Sequence, residues 1–498
     1  MANFLWRATV ITHRYLGVAV GLLVLMWFAS GIVMIYVPFP AVSAKDHYRI
    51  LPSIDWNTCC DFAAQPYQDN DPMRVVQLET IAGEPVLKVQ IEGGGGRIGS
   101  LAPGSPVINV DESKLSAIAL TAAARLIGEG AQAVAAQSID YDQWTIAGEY
   151  GAHRPLFRIA FSDPERTNIY ISSSTAEVVL WTTATQRFWS WFGAIPHWFY
   201  ITPLRSNGPV WLQSMIWTSI LGAFLVVIGL FIGISQFKRG AGGRISPYRG
   251  WFYWHHLAGL VFGILTLTWV ISGLLSLNPW GLLESGGGEP GAFARFAGPA
   301  IPWRDVKASL EAIRNDPPPA TVNITSALLD GKLFWLAYDA NGDAIRLDAQ
   351  GQRAAPSEAE LTAAAQRIAG GTPVASSGMI TSEDAYYFSS HHEAVPLPAY
   401  RLILNDAEHT RYYLDAKTAL LVRVLDGNGR AYRWLFNGLH SLDFTAWLRW
   451  RPLWDAVMLL FLLGCLAGTF TGVYLAVTRI KRDLTFRRKV PAADQAAE

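Results

Sequence analysis

With 498 residues the chain is longer than one soluble domain needs, yet 51% of it is hydrophobic and only 16% is charged. That balance excludes a disordered chain and argues against a fully soluble one. Forty basic and forty acidic residues cancel, so no global field draws the chain to nucleic acid. Three cysteines and no C-x-x-C-H word exclude a disulfide scaffold and covalent haem attachment.

Residues 1–37 begin with Arg7 and Arg14 and carry the apolar run Tyr15–Tyr36. It is too long for the core of a cleaved leader, and no small-residue cleavage site precedes Pro38, so it reads as a retained anchor. In the long segment 38–211, Ser113–Gly128 reads as an Ala-rich helix. The alternating strands Leu156–Phe161 and Asn168–Ser172 follow, joined at Asp163-Pro164-Glu165. A second apolar run, Leu212–Phe237, occupies 212–237. The link 238–251 carries Lys238, Arg239, Arg244 and Arg249. A third run, Leu257–Leu277, occupies most of 252–277. Segment 278–452 repeats the earlier pattern, with a helix at Ser357–Ala369 and strands at Tyr400–Leu404 and Arg411–Leu414. The fourth run, Leu453–Val477, fills 453–478 with Asp455 at its edge, and the tail 479–498 is basic.

Each apolar run meets the roughly 20 residues a helix needs to cross a bilayer. Lys and Arg collect at the N-terminus, in the link and in the tail, which places those three and both termini in the cytoplasm. Segments 38–211 and 278–452 then face outward. The glycine runs Gly93–Gly96 and Gly286–Gly288 lack the strand–helix context of a nucleotide loop and read as turns. The cytoplasmic parts leave no room for a flavin or nucleotide domain. Cys465 reads as packing inside a span, and Cys59 and Cys60 are adjacent and either bridged or free.

The sequence matches itself. At an offset of 242, Arg7 meets Arg249, His13 meets His255, Gly17 meets Gly259, Gly21 meets Gly263, Trp27 meets Trp269 and Ser30-Gly31 meets Ser272-Gly273. At 243, Arg158 meets Arg401, Tyr170 meets Tyr413, His197 meets His440, Trp211 meets Trp454 and Gly229 meets Gly472. The expected architecture is therefore a membrane protein of four transmembrane α-helices in two parallel repeats. Each repeat carries an α+β outer domain, and a functional site is expected where the halves meet.

Four of the ten histidines fall into two repeat-related pairs. His13 and His255 open spans one and three at the cytoplasmic face. His197 and His440 lie fourteen residues before Trp211 and Trp454, at the outer mouths of spans two and four. On a helix, Gly17 and Gly21 share the face of His13, as Gly259 and Gly263 share that of His255. This leaves a recess suited to a porphyrin plane, with one imidazole from each helix on the iron. The alternative is an interfacial histidine beside packing glycines. His256 competes with His255, and the repeat register favours His255.

The outer pair has Phe188, Trp189, Trp191, Phe192 and Trp198 around it in one half, and Trp434, Phe436, Phe444 and Trp447 in the other. An aromatic belt is the competing explanation. A single zinc or copper site is opposed by a separation of roughly 30 Å between the pairs, so two sites are expected, with Trp27, Trp269 and Trp217 between them. Arg205, Arg449 and Arg451 outside, and Arg7, Arg14 and Arg249 inside, are candidates to pair with haem propionates, or serve as headgroup and topology charges. His391-His392 can touch a substrate or metal, or simply lie at the surface.

His13-Arg-Tyr-Leu-Gly17, Ser30-Gly31, Asn168–Val178, His255-His-Leu-Ala-Gly259 and Tyr413–Val422 resemble the PepSY-associated transmembrane family over nearly the whole chain. The Thr-Gly that commonly ends the family's spans is Ser30-Gly31 and Ser272-Gly273 here. The resemblance implies a bacterial inner-membrane protein with two PepSY-like periplasmic domains. It further implies a di-haem reductase that passes electrons outward to ferric siderophores, an enzyme of haem-dependent metalloreductase type. His13 and His255 would hold the inner haem b, with Gly17, Gly259, Arg7 and Arg249 beside it, and His197 and His440 the outer one. The acceptor would be a periplasmic ferric siderophore or another small molecule, and the donor a cytoplasmic or membrane component. Two other readings stay open. One is a membrane-anchored PepSY binding or regulatory protein without redox activity, for which four spans and paired histidines have no purpose. The other is a two-repeat transporter, for which the spans offer few charges.

Overall fold

In a computed structural model that describes residues 2–57, 59–103, 110–237, 245–391 and 394–489, four helices are long and apolar enough to span a bilayer. Lys238, Arg239, Arg244, His392 and residues 490–498 lie outside the described residues, as do the side chains of Arg487, Arg488 and Lys489. The four stretches are Phe4–Met34, Gly208–Ser235, Trp251–Ser276 and Leu453–Arg482. The chain is a multi-pass membrane protein.

The helices extend past the apolar runs because nothing in the flanking sequence stops them. No Pro or Gly falls between Ala2 and Tyr15, so the first helix begins at Ala2 and takes in Arg7 and Arg14. Gly250 precedes the third helix, which starts at Trp251 rather than Leu257. His13 and His255 consequently lie inside their helices and do not open them.

The chain divides into two compact units. A helical unit comprises Met1–Phe39, Phe188–Glu284 and Ala431–Glu498; a β-rich unit comprises Pro40–Arg187 and Ser285–Arg430.

Within the helical unit, Val20, Val24, Phe28, Leu225, Trp269, Met458, Leu462 and Cys465 make the buried seam. Large apolar side chains elsewhere, including Leu22, Trp217, Phe231, Ile264 and Leu460, are exposed, as lipid-facing positions must be.

The β-rich unit contains β1 (Pro72–Ile81), β2 (Glu84–Ile91), β3 (Gly96–Ser100), β4 (Ala133–Ile139), β5 (Leu156–Phe161), β6 (Asn168–Ser172), β7 (Val178–Thr182), β8 (Ile301–Pro302), β9 (Thr321–Leu329), β10 (Lys332–Asp339), β11 (Ala344–Leu347), β12 (Val374–Ile380), β13 (Ala399–Leu404), β14 (Arg411–Asp415) and β15 (Leu421–Leu425). Two four-stranded sheets have the same form, β4-β5-β6-β7 and β12-β13-β14-β15, antiparallel throughout. Each is preceded in the chain by an Ala-rich helix, Glu112–Ile127 capped by Asp111 and Glu358–Ala369 capped by Ser357. Leu115, Ile118, Ala119 and Ala122 form the buried stripe of the first, and Leu361, Ala364, Ala365 and Ile368 that of the second. Both turns expected from sequence are present. Asp163 accepts from the Thr167 N–H and hydroxyl at 2.7 and 2.9 Å, and Asp406 accepts from those of Thr410 at 2.8 and 2.6 Å.

The third sheet was not read from sequence. It runs β11-β10-β9-β1-β2-β3, with β8 on β1, and joins the two halves where Leu78 faces Ile324 and Glu79 faces Asn323. Segments 38–211 and 278–452 therefore share a sheet, and 188–211 packs with the helices. Beside the joint, buried Glu79 is gripped by Lys88 at 2.6 Å, His47 at 3.8 Å and the Asn323 amide at 3.0 Å, while Lys88 also pairs with Glu177. Burial acts to raise the Glu79 carboxyl; Lys88 and His47 outweigh it and hold it at about 2.

Candidate redox site

All four paired histidines lie in the helical unit. The His13 and His255 ring centres are 6.3 Å apart, with planes at 29°; those of His197 and His440 are also 6.3 Å apart, with planes at 74°. His197 sits on the short helix Ala194–Trp198. His440 follows a π-helical turn, Arg433–Gly438. Two residues beyond each, Phe199 and Leu442 take left-handed conformations, at φ 52° and 53°, which stop the turn and leave the imidazole directed at the spanning helices.

The hydrogen bonds settle which ring nitrogen is free. His13 Nδ1 lies 3.3 Å from the Leu225 carbonyl, and His255 Nδ1 lies 3.3 Å from that of Gly468 and 3.1 Å from the Thr471 hydroxyl. His197 Nδ1 lies 3.2 Å from the Trp27 carbonyl and 3.0 Å from Ser30 Oγ. His440 Nδ1 lies 3.0 Å from Ser272 Oγ. A carbonyl only accepts. The Ser30, Ser272 and Thr471 hydroxyls spend their protons on the Trp27, Trp269 and Gly468 carbonyls. Every Nδ1 is thus the N–H donor, and every Nε2 carries a lone pair. No hydrogen bond among the described residues engages any of the four Nε2 atoms. A histidine with Nδ1–H on a carbonyl or hydroxyl and Nε2 unspent is the usual arrangement of a metal-binding imidazole.

The spacing also fits. Two metal–imidazole bonds of about 2.0–2.1 Å, each extended by ~1.1 Å to the ring centre, span about 6.3 Å. The pairs are separate, since Ser30 and Ser272 each lie seventeen residues after His13 and His255. At 1.5 Å per residue that is about 25 Å, shorter than a full span because His13 and His255 lie inside their helices. Among the described residues, no group of three or more His, Cys, Asp and Glu forms a cluster for a bare metal ion.

His256 is differently placed. Its Nδ1 is 2.7 Å from Ser246 Oγ and its Nε2 is 2.8 Å from the Gly233 carbonyl, so both nitrogens are spent.

Four glycines make room for the rings. A Cβ on Gly229 would fall 2.7 Å from His13 Cε1, and one on Gly472 would fall 3.0 Å from His255 Cε1. Gly31 and Gly273 face His197 and His440 more loosely, at 3.8 and 3.5 Å. Gly17 and Gly259 meet little, the former only Leu225 at 3.9 Å, so the helix surface beside each inner histidine is open. Gly21 and Gly263 pack instead on Val473 and Leu230.

Other expected residues scatter. Arg7 and Arg249, each six residues before its inner histidine, are exposed, and no ion pair among the described residues engages either one. Arg205 lies over Tyr200 and Trp211. Arg449 pairs with Asp443 at 2.5 Å and Arg451 with Asp455 at 2.8 Å, so carboxylates of the chain hold both. Phe188, Trp189 and Phe192 pack on one another and are exposed, whereas Phe436 stacks on His440 at 5.1 Å. Trp269 is buried and donates to the His440 carbonyl at 2.7 Å; Trp27 stacks on Phe199; Trp217 is exposed, outside the space between the pairs.

The residues missed from sequence are the partners: Ser30, Ser272 and Thr471 on Nδ1, and Gly229 and Gly472 behind the inner rings. The signal for the serines and glycines was the repeat itself, in which Ser30 pairs with Ser272 and Gly229 with Gly472; Thr471 meets Ile228 and carried none.

A comparison with curated proteins gives no match. A family model described as the PepSY-associated TM region matches residues 10–479 and so takes in all four histidines and both units. The chain belongs to the PepSY-associated transmembrane family.

Proposed function

We propose that the chain is a di-haem electron-transfer protein of the bacterial inner membrane that reduces a periplasmic acceptor, ferric siderophore iron. The observation that carries this reading is the pair of imidazole pairs, each with ring centres 6.3 Å apart and every Nδ1 already donating. His13 and His255 would hold one haem b and His197 and His440 the other. Bound there, each haem would supply a one-electron ferric–ferrous couple.

The chain's own work is to fix the imidazoles. Leu225, Gly468 and Thr471 orient the inner pair, and Trp27, Ser30 and Ser272 the outer pair, which leaves each Nε2 lone pair available to a metal. The open surface at Gly17 and Gly259 leaves room beside the inner pair. Arg7 and Arg249, each six residues before its inner histidine, would be the cations offered to the haem's carboxylates.

We read the architecture as two parallel repeats with both termini cytoplasmic. The like form of the two four-stranded sheets and the equivalent partners Leu225 and Gly468 support this. Ferric iron is the fitting substrate because hard oxygen ligands hold it far better than ferrous iron, so one electron loosens it.

Purified protein made with ample haem tests the reading through its reduced-minus-oxidised visible spectrum. Two six-coordinate b-type haems per chain are expected, and one remaining in the His13→Ala/His255→Ala double variant. A colourless protein, or two haems surviving in that variant, overturns it.

A further inference from the structure

One groove in the helical unit breaks the likeness of the two halves. Gly250, Trp251, Trp254 and Ala258 of the third spanning helix and its start, with Ala467 and Thr471 of the fourth, line a space of about 430 Å³. At offsets of 242 and 243, Ala258, Ala467 and Thr471 correspond to Leu16, Phe224 and Ile228, and Trp254 corresponds to Thr12. Three side chains that fill the surface in the first half are thus cut back to Ala, Ala and Thr in the second. The fourth position changes the other way, and the indole of Trp254 supplies a wall where the first half has only a threonine. Trp251, Trp254 and Ala467 are exposed on a lipid-facing surface, so the groove opens to the bilayer. Among its lining residues, Thr471 has an Oγ1 that donates to the Gly468 carbonyl and accepts from His255 Nδ1. The groove is thus continuous with the inner histidine pair.

We propose that this groove binds the headgroup of a lipid-dissolved quinol, the donor of the electrons. The inference rests on the reading of His13 and His255 as haem ligands. The volume suits a small-molecule site, mostly apolar with a single polar group to orient the ligand. The two indoles that line it suit a flat ring, and one lone pair of Thr471 remains for a quinol O–H. An acyl chain needs neither the flat walls nor the hydroxyl. Oxidising a quinol to the quinone breaks two O–H bonds. The two protons pass to water at the end of the third helix where Gly250 lies. The two electrons would be accepted one at a time by the one-electron group that His13 and His255 would hold, and two ferric ions reduced per quinol balance them.

Binding of a tritiated decyl-benzoquinol, kept reduced by dithionite, to the full chain in lipid nanodiscs tests this, with the dithionite-reduced spectrum taken on the same samples. Saturable binding is expected to weaken at least tenfold in Ala467→Phe, which restores the first-half residue, and to weaken in Trp254→Ala. It should be unchanged in Phe224→Ala, and haem content should be constant in all three. Two haems with no saturable binding, as when lipid chains alone fill the groove, or equal binding in Ala467→Phe and Trp254→Ala, overturn the quinol site and leave the haem reading standing. No haem overturns the reading beneath it and the proposal together.

Discussion

On the proposed di-haem reading, adding one methyl group at Gly229 should disable the inner centre while sparing the outer one. The new Cβ would sit 2.7 Å from His13 Cε1, where ordinary contact begins at 3.4 Å, so the ring must retreat by about 0.7 Å. At Gly472 the same arithmetic against His255 gives about 0.4 Å from a contact of 3.0 Å. Metal–ligand distances tolerate about 0.2 Å, so both shifts exceed what a bond absorbs, and Gly229→Ala exceeds it more. Overpacking of this size costs about 1–3 kcal/mol, which corresponds to roughly 5- to 140-fold in haem affinity. Gly31→Ala and Gly273→Ala are the internal controls, because their added methyls meet His197 and His440 at 3.8 and 3.5 Å, ordinary contact distances. Haem per chain and low-spin EPR signals on purified variants read the result. The inner signal should fall in the order wild type, Gly472→Ala, Gly229→Ala, with the outer signal constant. Two full low-spin signals in Gly229→Ala would refute the argument that this glycine seats the ring.

Further outcomes follow from the same contacts. Ser272→Ala removes one of the two acceptors of His440, leaving the Trp269 carbonyl, and should weaken retention of the outer haem by about 10-fold, the low end of the range for such partners, read by haem loss to apomyoglobin. His256→Ala should keep both haems, since both its nitrogens are spent on Ser246 and Gly233; loss of one haem per chain would make His256 a ligand. In the β-rich unit, Glu79 held at about 2 contributes stability that is complete above the unfolded carboxylate range near 4.3 and is lost as pH falls toward 2. Glu79→Gln should flatten that acid limb and, by leaving Lys88 short of one partner, cost about 3–5 kcal/mol. Denaturant melts between pH 2 and pH 7 would show an unchanged limb if the Glu79–Lys88 pair is not what titrates.

The parts legible in the sequence were those with local signatures. Four apolar runs gave four helices, and Leu156–Phe161 and Asn168–Ser172 are strands with the bounds their alternation suggests. The 242 and 243 offsets singled out the histidine pairs that the helices bring together. The ends of the spans were less legible, because hydropathy marks where lipid contact stops and not where hydrogen bonding does; Arg7 and Arg14 continue the first helix. The central sheet was hidden because β1 and β9 are joined only by a contact of high sequence separation, Leu78 on Ile324. Nor did spacing show which histidine nitrogen is spent. Choosing between His255 and His256 needed Ser246 and Gly233, which share no motif with either. The expected aromatic casing of His197 failed for a physical reason: Phe188, Trp189 and Phe192 suit an interface and pack on one another.

The central claim is tested most directly by counting haem in the purified full-length chain, with a pyridine haemochrome assay beside its reduced-minus-oxidised spectrum. The account predicts two b-type haems per chain, both six-coordinate, with one lost in the His13→Ala/His255→Ala variant and the other in the His197→Ala/His440→Ala variant. A chain without haem, or one whose haem content is indifferent to these four histidines, would contradict it.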